Sequence, residues 1–122
     1  MTPRPGELWL VEFTPHVGSE QAGLRPALIV SGERFNVYSP RLALVMPLTS
    51  RDRGWPTHLQ LAPSTENGLT KPSWILCEQV RAASVERFRR RLGSVEAHVI
   101  CQALHILNEW IFEYRPQQDG LA

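Results

Sequence analysis

A carboxylate and a guanidinium stand five residues apart where a polar, glycine-bounded segment runs into an apolar one: Glu20 and Arg25, within residues 18–31. A carboxylate can take up a proton, and a guanidinium is a planar fork that holds two oxygens of a phosphoryl group. Each also has an ordinary use, as a solvated loop side chain or as a strand-end partner for a surface carboxylate. Thr49 closes the apolar run 42–48 and precedes Ser50-Arg51-Asp52-Arg53-Gly54. Its hydroxyl can cap the turn or bond a phosphate oxygen. Arg51, Arg53 and Trp55 interleave cations with an aromatic ring. That suits an unpaired nucleic-acid strand, where stacking is worth roughly 1–3 kcal/mol per base, although surface loops carry the pattern without a ligand too. Gln79 and Arg81, two apart on an expected strand, share one face of it. The amide can read a base edge, and the arginine can hold a phosphate or stack on a base.

Other reactive side chains read differently. Cys77 falls on the same expected strand face and suits a small packed thiol better than a nucleophile. His98, Cys101 and His105 lie at helical spacing opposite an apolar stripe, which describes an exposed polar face; no fourth ligand accompanies them, and no metal site is expected. Arg87, Arg89, Arg90 and Arg91 read as a solvated turn that can add to long-range attraction of a polyanion.

The chain has 122 residues, with 13 Lys+Arg against 12 Asp+Glu, for a net charge of +1. Net charge therefore points neither toward nor away from nucleic acid. Lys71 is the sole lysine, so the basic residues are almost all forks rather than point charges. The length suits one domain, expected over residues 1–116, with a loose polar tail at 117–122. No signal peptide or membrane-length apolar run is apparent, and the two cysteines lack metal spacing. The expectation is a soluble cytoplasmic protein with free thiols.

The elements that must position these side chains are mostly strands. Residues 7–13, 26–31, 42–48, 57–61 and 73–81 read as five strands, with 89–93 as a short sixth. Pro26 belongs at a strand start or on an edge, since it has no N–H to donate. The run 42–48 is apolar enough to be buried on both faces. Ser84 caps a helical turn reaching Phe88. Residues 35–41 and 63–72 read as long loops. Val99, Ile100, Ala103, Leu104, Leu107, Trp110, Ile111 and Tyr114 recur at three- and four-residue steps, predicting an amphipathic helix with Ser94 as N-cap and Pro116 as stop. Strands first and one helix last imply a small curled sheet or barrel with a helix packed on it.

With strands and loops placed, the wording of the blocks is informative. Pro5-Gly6-Glu7-Leu8-Trp9-Leu10-Val11-Glu12-Phe13, then residues 18–27 (Gly-Ser-Glu-Gln-Ala-Gly-Leu-Arg-Pro-Ala), resemble the opening of the MazF/PemK toxins. Val45-Met46-Pro47-Leu48-Thr49-Ser50, Leu76-Cys77-Glu78-Gln79-Val80-Arg81 and Arg91-Leu92-Gly93 resemble later blocks of that family, in the same order. The resemblance implies a mainly β (α+β) fold, an SH3-like barrel of MazF/CcdB type with a C-terminal helix. It also implies a homodimer and metal-independent, sequence-specific cleavage of single-stranded RNA, leaving a 2′,3′-cyclic phosphate and a 5′-OH. The implied partner is a cognate MazE-like antitoxin, with DNA met only indirectly through the antitoxin complex. No cofactor is implied. On this resemblance Arg25, Thr49 and Glu20 are catalytic, and Ser50, Arg51, Arg53, Trp55, Gln79 and Arg81 contact RNA. Whether Glu20 or Arg25 is the general base stays open, although an arginine with its usual pKa above ~12 is a poor base. A non-nuclease reading also stays open: a CcdB-like barrel that poisons a protein target such as gyrase.

Overall fold

The computed structural model describes residues 2–13, 18, 23–39, 41–114 and 116. They form strands β1 (Glu7–Phe13), β2 (Gly23–Ile29), β3 (Leu42–Thr49), β4 (His58–Leu61), β5 (Ser73–Leu76), β6 (Arg81–Ser84) and β7 (Phe88–Ser94). Helix α1 (Glu33–Tyr38) links β2 to β3, and helix α2 (Ala97–Ile106) follows β7. The strands pair antiparallel in the order β4-β5-β3-β2-β1-β7, with β6 also on β3. The fold is mainly β with one C-terminal helix, as expected.

β3 is the strand on which the others converge. One edge pairs with β2 at Val45, Met46 and Pro47. The other edge takes β6 along Leu42–Val45 and β5 at Leu48 and Thr49. The stretch 73–84 thus runs antiparallel along one edge of β3, but not as the single strand expected over 73–81. Between the Leu48↔Ile75 and Val45↔Arg81 pairs, five residues of that stretch face only two of β3. The three surplus residues form a 3-10 turn, Cys77–Gln79. This overturns the expected shared face of Gln79 and Arg81, because side-chain alternation holds only along unbroken strand.

β2 begins earlier than expected, and Pro26 sits inside it. The edge rule still holds locally. β1 covers β2 from Leu8↔Leu28 to Phe13↔Gly23, whereas β3 covers only Ala27–Ile29. Neither Pro26 nor Pro47 has an N–H with which to extend the β2–β3 ladder. The two strands therefore part company beyond Ala27↔Pro47, and a gap opens there.

Two apolar clusters follow the strand alternation. Leu8, Leu28, Met46, Leu48 and Ile75 pack under α2 through Val99 and Ala103, and under the turn that follows it through Leu107. Val11, Phe13, Ala27, Ile29, Val45 and Phe88 fill the other side of the curled sheet. The expected burial of 42–48 on both faces holds for residues 45–48, while Leu42 and Leu44 are partly exposed. α2 starts at Glu96 as N-cap rather than at Ser94, because Ser94 is still paired to Glu7 in β7. A π turn, Leu107–Ile111, carries the chain on, so the helix ends before Pro116. The outer part of the predicted stripe (Leu104, Trp110, Tyr114) is exposed. Ser84 caps the turn Val85–Arg87, accepting from the Glu86 N–H at 3.2 Å. The basic run lies largely on β7 instead of in a turn, with Arg91 Nε 2.9 Å from Glu7 Oε2.

Where residues 35–41 were expected to be a loop, α1 forms. Its buried Asn36 accepts from the Ser31 hydroxyl and donates to the carbonyls of Pro3 (2.8 Å) and Ser31 (3.0 Å). Those side-chain bonds, with the one to Pro3 reaching across 33 residues, hold so short a helix where local propensity would not.

The 62–72 segment is a loop as expected, but a tightly tied one. Asn67 Oδ1 accepts from the N–H groups of Ser64 (3.0 Å) and Leu69 (2.9 Å), and Nδ2 donates to the Ala62 carbonyl (2.9 Å). The loop lies against β7 so closely that a Cβ on Gly93 would sit 2.2 Å from the Glu66 carbonyl oxygen, and one on Gly68 2.1 Å from that of Leu92. Backbone cannot yield cheaply on both sides. Gly93→Ala is expected to lower stability by about 3 kcal/mol, read as a lower urea midpoint; an unchanged midpoint would show that the loop can shift.

Candidate active site

The gap between β2 and β3 is a cavity of about 200 Å³ lined by Leu24, Arg25, Pro26, Leu48, Thr49, Ser50, Lys71 and Ser73. Arg25 comes from β2, beside the proline that ends the ladder. Thr49 is the last residue of β3 and is buried. Its Oγ1 accepts from the Arg51 N–H at 3.2 Å. That bond uses a lone pair and leaves the hydroxyl proton for an acceptor in the cavity. A guanidinium, an oriented hydroxyl and an ammonium around one small cavity can bind a phosphoryl group and follow its charge as it grows.

Lys71 was missed as a site residue. Its only signal was its being the sole lysine, which says nothing of place. The tied loop brings it to the cavity, and Ser73 Oγ holds the Lys71 carbonyl at 3.1 Å. Ser73 itself opens β5.

The other expected residues are distributed around this centre. Ser50 lines the cavity. Arg51, Arg53 and Trp55 are exposed on the loop leading from β3 to β4 and do not line it. Asp52 Oδ1 accepts from the Gly54 N–H at 2.9 Å, and Gly54 takes a φ of +71°, so this loop has a defined turn. Gln79 ends the 3-10 turn. Arg81 opens β6, with its guanidinium carbon 5.6 Å from the centroid of the Phe13 ring, a cation–π contact that gives it a packing role as well. Glu20 lies outside the described residues.

His98, Cys101 and His105 are exposed on α2. No group of three or more His, Cys, Asp or Glu side chains among the described residues is placed to hold a metal ion. No helix among them is long and apolar enough to cross a membrane.

Residues 4–111 match the family of PemK-like, MazF-like toxins of type II toxin-antitoxin systems. The chain belongs to this family. It is 36% identical over 104 residues to Endoribonuclease MazF9 of Mycobacterium tuberculosis, covering 81% of this chain and 87% of that one. It is 36% identical over 91 residues to Endoribonuclease MazF of Staphylococcus saprophyticus, covering 73% and 74%. Among solved structures, MazF from Deinococcus radiodurans superposes with a TM-score of 0.75 at 30% identity, over 88% of this chain and 94% of that one. A MazE–MazF complex from the same organism gives 0.70 at 30% identity, over 88% and 93%.

Cys77 is unsuited to act as a nucleophile. It is fully buried, and desolvation, helped by the neighbouring Glu78 charge, pushes its pKa up to about 12. Iodoacetamide at pH 8 is expected to modify exposed Cys101 and spare Cys77 in the native chain, with both modified in urea, read by mass spectrometry. Because the fold holds Cys77 protonated, the stability it contributes is complete below the ordinary value of 9.0 and falls as pH rises toward about 12. The urea midpoint of Cys77→Ala should lose less over that window than the wild type.

Proposed function

We propose that this chain is the toxin of a type II toxin–antitoxin pair and acts as a sequence-specific endoribonuclease on single-stranded RNA. The observation that carries the reading is the meeting of Arg25 and Thr49, from two neighbouring strands, around one cavity that also receives Lys71. The relatives named Endoribonuclease MazF supply the reaction class. The gyrase-poisoning alternative has no such support.

RNA carries its own nucleophile. The 2′-OH attacks phosphorus, the new O2′–P bond forms as the P–O5′ bond breaks, and a 2′,3′-cyclic phosphate and a 5′-OH result. The protein must take the 2′-OH proton, hold the growing negative charge on the phosphoryl oxygens and return a proton to O5′. Arg25 grips two of those oxygens, and Thr49 donates its hydroxyl proton to one. Lys71 adds positive charge at the same cavity. Glu20 is the candidate base, and Arg25 the alternative. Once protonated, the base can give that proton to O5′ as the P–O5′ bond breaks, so the step balances with side chains and the RNA alone. Ser50, Arg51, Arg53, Trp55, Gln79 and Arg81 are proposed to guide the strand on either side.

The partner proposed is a cognate antitoxin, on the support of MazE–MazF complexes among similar solved structures, and the working form proposed is the homodimer that the family resemblance implies. Cleavage of a long RNA in excess EDTA tests the whole reading. Discrete cuts with cyclic-phosphate ends are expected, with Arg25→Ala slower by roughly 10²–10³-fold and Thr49→Ala by a smaller factor, both folded by circular dichroism. Intact RNA together with stalled gyrase would sink it. Glu20→Gln should lose single-turnover rate while keeping RNA affinity; an unchanged rate removes Glu20 from the catalytic set.

A further inference from the structure

The loop that leaves Thr49 ends on an aromatic pair. The indole of Trp55 lies nearly parallel to the imidazole of His58, 16° between planes and 5.1 Å between centroids. Trp55 is 52% exposed. The His58 side chain is only 1% exposed. His58 Nε2 lies 2.9 Å from Glu78 Oε2, and Glu78 Oε1 accepts from the Thr57 hydroxyl at 2.8 Å. His58 Nδ1 is buried with no hydrogen-bond partner among the described residues.

As packing alone, this arrangement is a poor choice. An apolar side chain of similar size would fill the place without leaving a buried polar atom unmade. What the imidazole offers instead is a flat ring whose rotation is fixed by a hydrogen bond. Glu78 fixes it from the 3-10 turn that joins β5 to β6, and so from the edge of β3. The ring plane beneath Trp55 is thereby tied to the central strand. One indole face is covered, and the half-exposed remainder of the ring is available on a loop that also exposes Arg51 and Arg53.

We propose that the outer face of Trp55 is a stacking subsite for one unpaired nucleobase of the RNA, and that His58 and Glu78 are positioning residues that hold the indole for it. The proposal rests on the endoribonuclease reading. His58 pairs with Leu76 at one end of β5, and the cavity-lining Ser73 is at the other. Three residue steps of strand separate them by roughly 10 Å. The stacked base therefore belongs to a neighbour of the cleaved nucleotide. Every base has a π-face, so this subsite adds affinity and register more than it selects a base. An indole preset in its bound orientation also loses little freedom when the base arrives.

The probe is a mixed-sequence 12-nucleotide single-stranded RNA with 2′-O-methyl groups throughout, which blocks the nucleophile so that binding is read alone. Trp55→Ala is expected to weaken binding by roughly tenfold or more, and Trp55→Phe by no more than about threefold. The RNA should quench indole emission of the wild type, and that quenching should shrink sharply in Trp55→Phe. His58→Leu separates positioning from stability. It should keep the melting temperature within about 5 °C, yet weaken binding and raise KM for a cleavable RNA with kcat little changed. A merely structural histidine predicts the reverse, a lower melting temperature with unaltered affinity. If Trp55→Ala binds within threefold of the wild type, while the wild type cuts RNA and Arg25→Ala does not, the stacking subsite is refuted and the nuclease reading stands. A wild type that neither binds nor cuts RNA removes both.

Discussion

Everything near the candidate site depends on β3 satisfying two edges at once. Five consecutive residues, Val45 to Thr49, are buried, and buried backbone groups need hydrogen-bond partners. β2 supplies one edge for part of that length, while β6 and then β5 supply the other. The change of partner leaves three residues in excess, and they become the 3-10 turn that carries Glu78 and Gln79. The loss of β2, where prolines stand at 26 and 47, leaves the cavity. Register is therefore strict. A slip of one residue along β3 would turn Thr49 to the opposite face and bring Leu48 in its place. The hydroxyl at the cavity is a consequence of how the core is paired.

The parts legible in the sequence were those set by short-range pattern. β-rich runs bounded by proline and glycine located most strands, three- and four-residue steps located the helix, and ordered blocks pointed to the family. The parts that were not legible are set by pairing across distance. Residues 73–81 have uninterrupted strand chemistry, and only the fixed separation of the β5 and β6 ladders on β3 requires surplus residues between them. α1 has no helix-length periodicity and is held by Asn36 reaching Pro3. Ser94 is a good N-cap by type, but its place in the ladder with Glu7 moves the helix start to Glu96. Lys71 reaches the cavity only because Asn67 ties its loop and Gly93 lets that loop approach β7.

The rigid and the exposed parts of the site divide the work. Arg25 is held on β1 opposite Val11 and Thr49 on β5 opposite Trp74, so strand pairing fixes each of them, as the proposed transition-state contact would require. The loop 50–56 is exposed but not shapeless. Asp52 closes a turn at Gly54, and Trp55 is fixed on His58. A long flexible substrate is better met by such a surface than by a closed pocket, since it must be threaded and released as well as gripped.

Net charge hides the electrostatic arrangement. The chain is only +1, yet several of its carboxylates are held in pairs away from the cavity: Glu33 with Arg4, Glu7 with Arg91, and Glu78 with His58 and Thr57. Glu7 also accepts from the Trp9 indole N–H at 3.0 Å. Arg25 and Lys71 line a cavity to which no described carboxylate contributes, and Arg51 and Arg53 flank Asp52 on the adjoining loop. A polyanion meets local potential, not the sum over the molecule, and a low-dielectric cleft concentrates that potential at its mouth. The same few cations that would stabilise a phosphorane would thus also draw the strand in. A chain of nearly balanced charge can in this way present positive potential at one cleft without a broad basic face.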